Sequence, residues 1–99
     1  MLVDAEGRTL YRFTRDTAGS GASACYGECT VTWPPFTVPA DKTPTGGPGV
    51  SGELSTIVRT DGTLQVTYDG VPLYFFANDV ARDDTNGQGL GGVWFVVAP

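Results

Sequence analysis

Two cysteines, two tyrosine-bearing segments and one oxygen-rich stretch are where this chain carries residues able to do chemistry. Cys25 and Cys29 are its only cysteines, and the residues between them, Tyr26-Gly27-Glu28, allow one short local disulfide. Closing so small a loop contributes roughly 2 kcal/mol in the chain-entropy description. A redox pair is the alternative. Its spacing is one residue longer than Cys-X-X-Cys, and Glu28 beside it raises a thiol pKa rather than lowering it. Without any histidine, a zinc site would draw half its ligands from carboxylates or water, an uncommon structural set.

Asp79, Asp83, Asp84 and Asn86, with Gln88 close behind, gather oxygen atoms that suit calcium. The EF-hand spacing and its acidic last ligand are missing, so calcium is the one speculative cofactor. Asp16 and Asp79 each close a strand-like segment, where a carboxylate can instead accept N–H groups from the following turn. The lack of histidine removes the Ser/His/Asp arrangement, and paired carboxylates act on glycosides only when a cleft holds them. Gly87-Gln88-Gly89-Leu90-Gly91-Gly92 precedes a strand instead of opening a helix, so it predicts close backbone approach near Trp94, not a phosphate cradle. The chain is expected to be non-enzymatic.

The elements that position these residues are read from composition and periodicity. In 99 residues there are 14 Gly and 7 Pro, which disfavours long helices, while 40% hydrophobic content argues for a folded chain. A net charge of −5 argues against a nucleic-acid partner. No apolar run is long enough for a transmembrane segment, and no leader pattern is present. Glu6-Gly7, Asp61-Gly62 and Asp69-Gly70 are hairpin signals. Between them Thr9 to Thr14, Ile57-Val58, Leu64 to Tyr68, Leu73 to Phe76 and Val93 to Val97 alternate or are β-branched and aromatic. The fold class is mainly β: a compact antiparallel sandwich or partly closed barrel, with a short helical turn at Cys25 to Cys29. Leu54 to Ala77 is expected to form a meander, with the last strand returning beside it.

The chain repeats itself. Leu10-Tyr11-Arg12-Phe13-Thr14-Arg15-Asp16 matches Leu73-Tyr74-Phe75-Phe76-Ala77-Asn78-Asp79, and Trp33 and Trp94 follow in turn. One domain, 1–99, is expected to consist of half-repeats at about 1–38 and 53–99 joined by a Pro/Gly-rich loop, 39–52. Leu2-Val3 align with Gln65-Val66, so the first copy lacks a strand like that around Ile57, and the chain is expected to begin within a repeat. Residues two apart on a strand share a face, so Tyr11 with Phe13, and Tyr74 with Phe76, are expected to pack the core with Trp33 and Trp94. An exposed aromatic platform for a flat ligand is the alternative.

The doubled Tyr-X-aromatic-X-X-Asp pattern (Tyr11, Phe13, Asp16; Tyr74, Phe76, Asp79), the Cys25 to Cys29 segment leading into Trp33-Pro34-Pro35, and the Asp84 to Gly89 run before Trp94 resemble one family. It is the bacterial secreted-repeat, or predicted-lipoprotein, family named for its Y-x-(F/W/Y)-x-x-D motif. The resemblance implies export, to the cell surface, the periplasm or the extracellular space, and supplies no catalytic residues. A lipid anchor is expected only in a longer precursor. The functional expectation is an exported β module with a binding or assembly role, self-association or a cell-surface partner included. The alternative is a redox or electron-transfer accessory protein using Cys25/Cys29 or the Tyr/Trp cluster.

Overall fold

Tight turns set the strands. Gly7 and Gly62 take φ of +85° and +86°, and in Asp69-Gly70 both residues are left-handed, at +52° and +83°. That is the backbone twist a two-residue hairpin loop needs, and only small or short polar residues adopt it cheaply. The computed structural model describes residues 2–39, 46 and 49–98. Most of the expected connecting loop, 40–45 and 47–48, lies outside them. Along the chain come β1 (Tyr11–Phe13), α1 (Cys29–Thr32), β2 (Thr37–Val38), β3 (Leu54–Val58), β4 (Leu64–Tyr68), β5 (Val71–Pro72), a 3-10 turn (Leu90–Gly92) and β6 (Trp94–Val96).

The fold is mainly β, in two antiparallel sheets. β4 is central to one, with β3 along one edge and β2 and β5 along the other; β1 and β6 form the second. The two are linked where Tyr11 and Tyr74 exchange backbone hydrogen bonds of 2.8 and 3.0 Å. The helical turn starts at Cys29, four residues later than expected, because Gly27 at φ +62° interrupts the chain before it.

The last strand does not return beside the meander. β6 pairs with β1 in the register Tyr11↔Val96, Arg12↔Phe95, Phe13↔Trp94. The mirror arrangement holds in the other half, where Phe36 N–H bonds Leu73 C=O and Phe75 N–H bonds Pro34 C=O. Each half therefore gives its final strand to the hairpin of the other. The hydrogen bonds also correct the alignment: Leu2 N–H goes to Val97 C=O as Val66 N–H goes to Phe36 C=O, so Leu2 matches Val66, not Gln65. The segment after Leu73 is less regular than expected, with Tyr74 making only single bridges to Tyr11 and Pro35. Its partner strand contains Pro34-Pro35, which have no N–H to complete a ladder.

The crossing builds two cores. Leu2, Leu10, Val66, Tyr68, Leu73 and Val97 form an aliphatic cluster beside partly buried Phe36 and Phe75. Tyr11, Cys25, Trp33, Tyr74, Phe76 and Trp94 form an aromatic one, with Phe13 and Cys29 packed against it. In β3, Thr56 lies opposite Val66, whose own backbone is engaged with Phe36 and Leu73. In an antiparallel ladder this turns the N–H and C=O of Thr56 away from β4, so among the described residues β3 has no strand on its outer side. No helix among the described residues is long and apolar enough to cross a membrane.

Leu73 is completely buried and Val31 is 74% exposed. Leu73→Ala is expected to lower the unfolding free energy by about 2–5 kcal/mol, and Val31→Ala by less than about 0.5 kcal/mol. Urea denaturation of both variants measures the contrast.

Candidate functional site

The residues of the doubled motif converge on the aromatic core. In both copies the period of two turns tyrosine and the second aromatic ring to one face; Tyr11 and Tyr74 are fully buried, while Arg12 on the opposite face is exposed. Trp33 and Trp94 stack face to face, with ring centroids 3.9 Å apart and planes 5° from parallel. The stack continues outward through Phe76 on Trp33 at 4.5 Å and Phe13 on Trp94 at 4.3 Å. Tyr11 sets an edge against Trp33 at 5.2 Å, and Tyr74 an edge against Trp94 at 5.1 Å. Edge and offset contacts of this kind add about 0.5–1.5 kcal/mol per pair beyond burial.

The motif aspartates complete the exchange between halves. Tyr11 Oη donates to Asp79 Oδ2 at 2.6 Å, and Tyr74 Oη donates to Asp16 Oδ2 at 2.7 Å. Each phenol is thus held by the carboxylate of the other copy. The second carboxylate oxygens are also used alike: Asn86 N–H donates to Asp79 Oδ1 at 3.0 Å and Ala24 N–H to Asp16 Oδ1 at 2.6 Å. Tyr11 Oη accepts from Gly87 N–H at 3.2 Å. Tyr74 Oη, its proton given to Asp16, accepts from the Ser23 hydroxyl. Each aspartate was expected to accept N–H groups from the turn that follows it; the donors lie eight residues on for Asp16 and seven for Asp79, and each carboxylate holds a buried phenol as well.

Burial, reinforced by Asp79, pushes the Tyr11 phenol far above its ordinary 10. Burial also dominates at Tyr74, where Asp16 adds to the rise and Ser23 opposes it. Both side chains therefore remain neutral donors at any physiological pH. Asp16 is raised from 3.8 chiefly by burial, against the lowering effect of its bonds from Tyr74 and Ala24.

Cys25 and Cys29 form the disulfide, with Cα atoms 5.4 Å apart. Cys25 is fully buried under the aromatic cluster. Gly87 takes the corresponding place in the second copy: a Cβ there would stand 2.6 Å from the Trp33 ring and 3.1 Å from Phe76. The close backbone approach read from the glycine-rich run is thus made to Trp33 by Gly87.

The oxygen-rich stretch is dispersed. Asp79 points inward to Tyr11, Asp84 Oδ2 accepts from Val80 and Ala81 N–H, Asp83 N–H donates to Gly7 C=O, and the Asn86 side chain donates to Asn78 C=O. Among the described residues no group of three or more His, Cys, Asp or Glu side chains is arranged to hold a metal ion. Three contributors escaped the sequence reading: Ser23, Gln65 and Arg59. Arg59 is buried, donates to Gln65 Oε1 at 2.8 Å and Cys25 C=O at 2.6 Å, and lies over the Tyr26 ring at 4.5 Å. Gln65 in turn donates to Leu73 C=O. The bonds from Arg59 to Cys25 and from Ser23 to Tyr74 join residues 34 and 51 apart in the chain, and no local spacing marks them.

Two antiparallel sheets with crossed halves and a doubled tyrosine motif describe a repeat protein folded into a shared core. A family model described as a secreted repeat of unknown function matches residues 1–37 and 55–98, and the chain belongs to that family. No curated protein and no solved structure matches it. Membership makes this an exported protein.

Three outcomes follow. Because folded Tyr11 and Tyr74 keep their protons above 10 while the unfolded chain releases them, stability is fully present below pH 10 and falls as pH rises beyond it. Asp16 has the same sign at lower pH: the folded state holds its proton more tightly, so its contribution declines as pH rises from 3.8 through the raised value, and Asp16→Asn flattens that slope. Urea titrations across both ranges, with ultraviolet absorbance reporting the phenolates, read these effects. Gly87→Ala is expected to destabilise by about 1–3 kcal/mol through overpacking on Trp33, a cost that Trp33→Phe partly relieves.

Proposed function

We propose that this exported protein is a non-enzymatic β module at the cell surface or in the periplasm, acting through assembly with a second copy of itself. The observation that supports the reading is the use made of the motif: its phenols and carboxylates pair with one another inside the core. The residues that recur in the sequence thereby serve the scaffold, and contact with a partner falls to the outer surface. There the edge of β3, unpaired among the described residues, turns the Thr56 backbone outward beside Val58, which is 67% exposed. A strand of a second copy can add to such an edge through main-chain hydrogen bonds, with alternate side chains giving specificity. The low charge of Leu54-Ser55-Thr56-Ile57-Val58 leaves that edge without the lysine or proline that ordinarily blocks pairing.

Light scattering over a concentration series tests this. The expected result is a mass that rises with concentration, and a Val58→Lys chain that stays monomeric with an unchanged thermal melt. A wild-type chain that remains monomeric throughout overturns the assembly role.

A further inference from the structure

The aromatic core holds more chemistry than packing requires. Its two indoles are stacked in parallel at 3.9 Å, so an electron vacancy on either is shared with the other. Each indole has a phenol on its edge, at 5.2 Å for Tyr11 and 5.1 Å for Tyr74. Each phenol already donates to a carboxylate, at 2.6 and 2.7 Å. A phenol that loses an electron becomes a strong acid and must lose its proton in the same event. For Tyr11 and Tyr74, both fully buried, no bulk water is in reach to receive it. Asp79 and Asp16 stand in the hydrogen-bonded position of a general base for that transfer. The remaining oxygen of each carboxylate is taken by the Asn86 or Ala24 N–H, so both point their free basicity at the phenol.

We propose that Tyr11, Trp33, Trp94 and Tyr74 form a one-electron relay, which takes oxidising equivalents from an outer-sphere oxidant of the oxidised metal-complex class and stores them as a buried tyrosyl radical. Trp33 and Trp94 are 4% and 5% exposed, which keeps an oxidant from bonding to the rings but leaves them close enough to the surface for electron tunnelling. In the step, one electron passes from the phenol through the indole pair to the oxidant, which is reduced by one electron. The O–H bond of Tyr74 breaks and its proton forms an O–H bond on Asp16; Tyr11 and Asp79 do the same in the other half. Tyr–OH and Asp–COO⁻ become Tyr–O• and Asp–COOH. Return of one electron from a reductant reverses the transfer, and the proton goes back to the phenol. The raised proton affinity of Asp16 favours the forward direction in its half. The duplication thus supplies two proton-coupled ends to one shared indole pair.

The test uses flash-quench oxidation by photogenerated ruthenium(III) tris-bipyridine. The reference chain carries Tyr26→Phe and Tyr68→Phe, which leaves Tyr11 and Tyr74 as its tyrosines. The expected product is a neutral tyrosyl radical in transient absorption and electron paramagnetic resonance, formed as the indole radical decays. Adding Tyr11→Phe and Tyr74→Phe leaves the radical on the indoles. Adding Asp16→Asn and Asp79→Asn slows tyrosyl formation by roughly a hundredfold, the lower range of what a positioned base contributes. A reference chain in which the radical stays on tryptophan overturns the relay, and so do folded Asn variants that form tyrosyl at an unchanged rate. If the Asn variants do not fold, the reference chain in heavy water decides: slower tyrosyl formation supports coupled proton transfer, and an equal rate overturns it.

Discussion

The rest of the molecule depends on the crossed hydrogen bonds in which each tyrosine is held by the aspartate of the other half. A phenol buried without a partner costs about 1–3 kcal/mol, and a buried carboxylate costs more. Neither half can satisfy its own pair, because the aspartate that closes the first copy reaches Tyr74 and the one that closes the second reaches Tyr11. The same crossing governs the backbone, where β6 lies on β1 and the chain after Trp33 lies on the hairpin of the second half. A stretch of some forty residues has too little interior to be stable alone. Two such stretches, interlocked, share two cores.

The stacked indoles lie where the halves meet, which explains why each copy carries one tryptophan and why the contact between them is so close. Around them the copies have diverged in ways that follow from single residues. Pro34-Pro35 interrupts the ladder in one half, where Phe95-Val96 completes it in the other. Cys25 fills the place under the ring system that Gly87 leaves to Trp33 and Phe76, and the disulfide ties that side to α1. Arg59, from the second half, reaches Cys25 of the first and also bonds Gln65. The symmetry is therefore one of scaffold, and the surface around it is free to differ.

Much of this was legible in the sequence. The acidic-glycine turns located the hairpins because positive φ is a local demand, and the period-two aromatic residues marked the buried face for the same reason. The repeat itself was visible in Tyr11 to Asp16 and Tyr74 to Asp79. The partners across the repeat were not. Two equivalent copies give identical patterns whether a strand pairs within its own half or with the other, so β6 was expected beside the wrong hairpin. The irregular stretch after Leu73 depended on prolines some forty residues away. Ser23, Gln65 and Arg59 became part of the site only through tertiary contacts, and the Asp84 carboxylate accepts from the N–H groups of Val80 and Ala81, which a ligand count does not reveal.

The crossed pairing is tested most directly by double-mutant cycles in urea unfolding. Tyr11→Phe with Asp79→Asn, and Tyr74→Phe with Asp16→Asn, are predicted to show coupling of about 1.5–3 kcal/mol each, the range for hydrogen bonds to charged groups. The same-half combinations, Tyr11→Phe with Asp16→Asn and Tyr74→Phe with Asp79→Asn, are predicted to be additive. Coupling within halves and additivity between them would contradict the account.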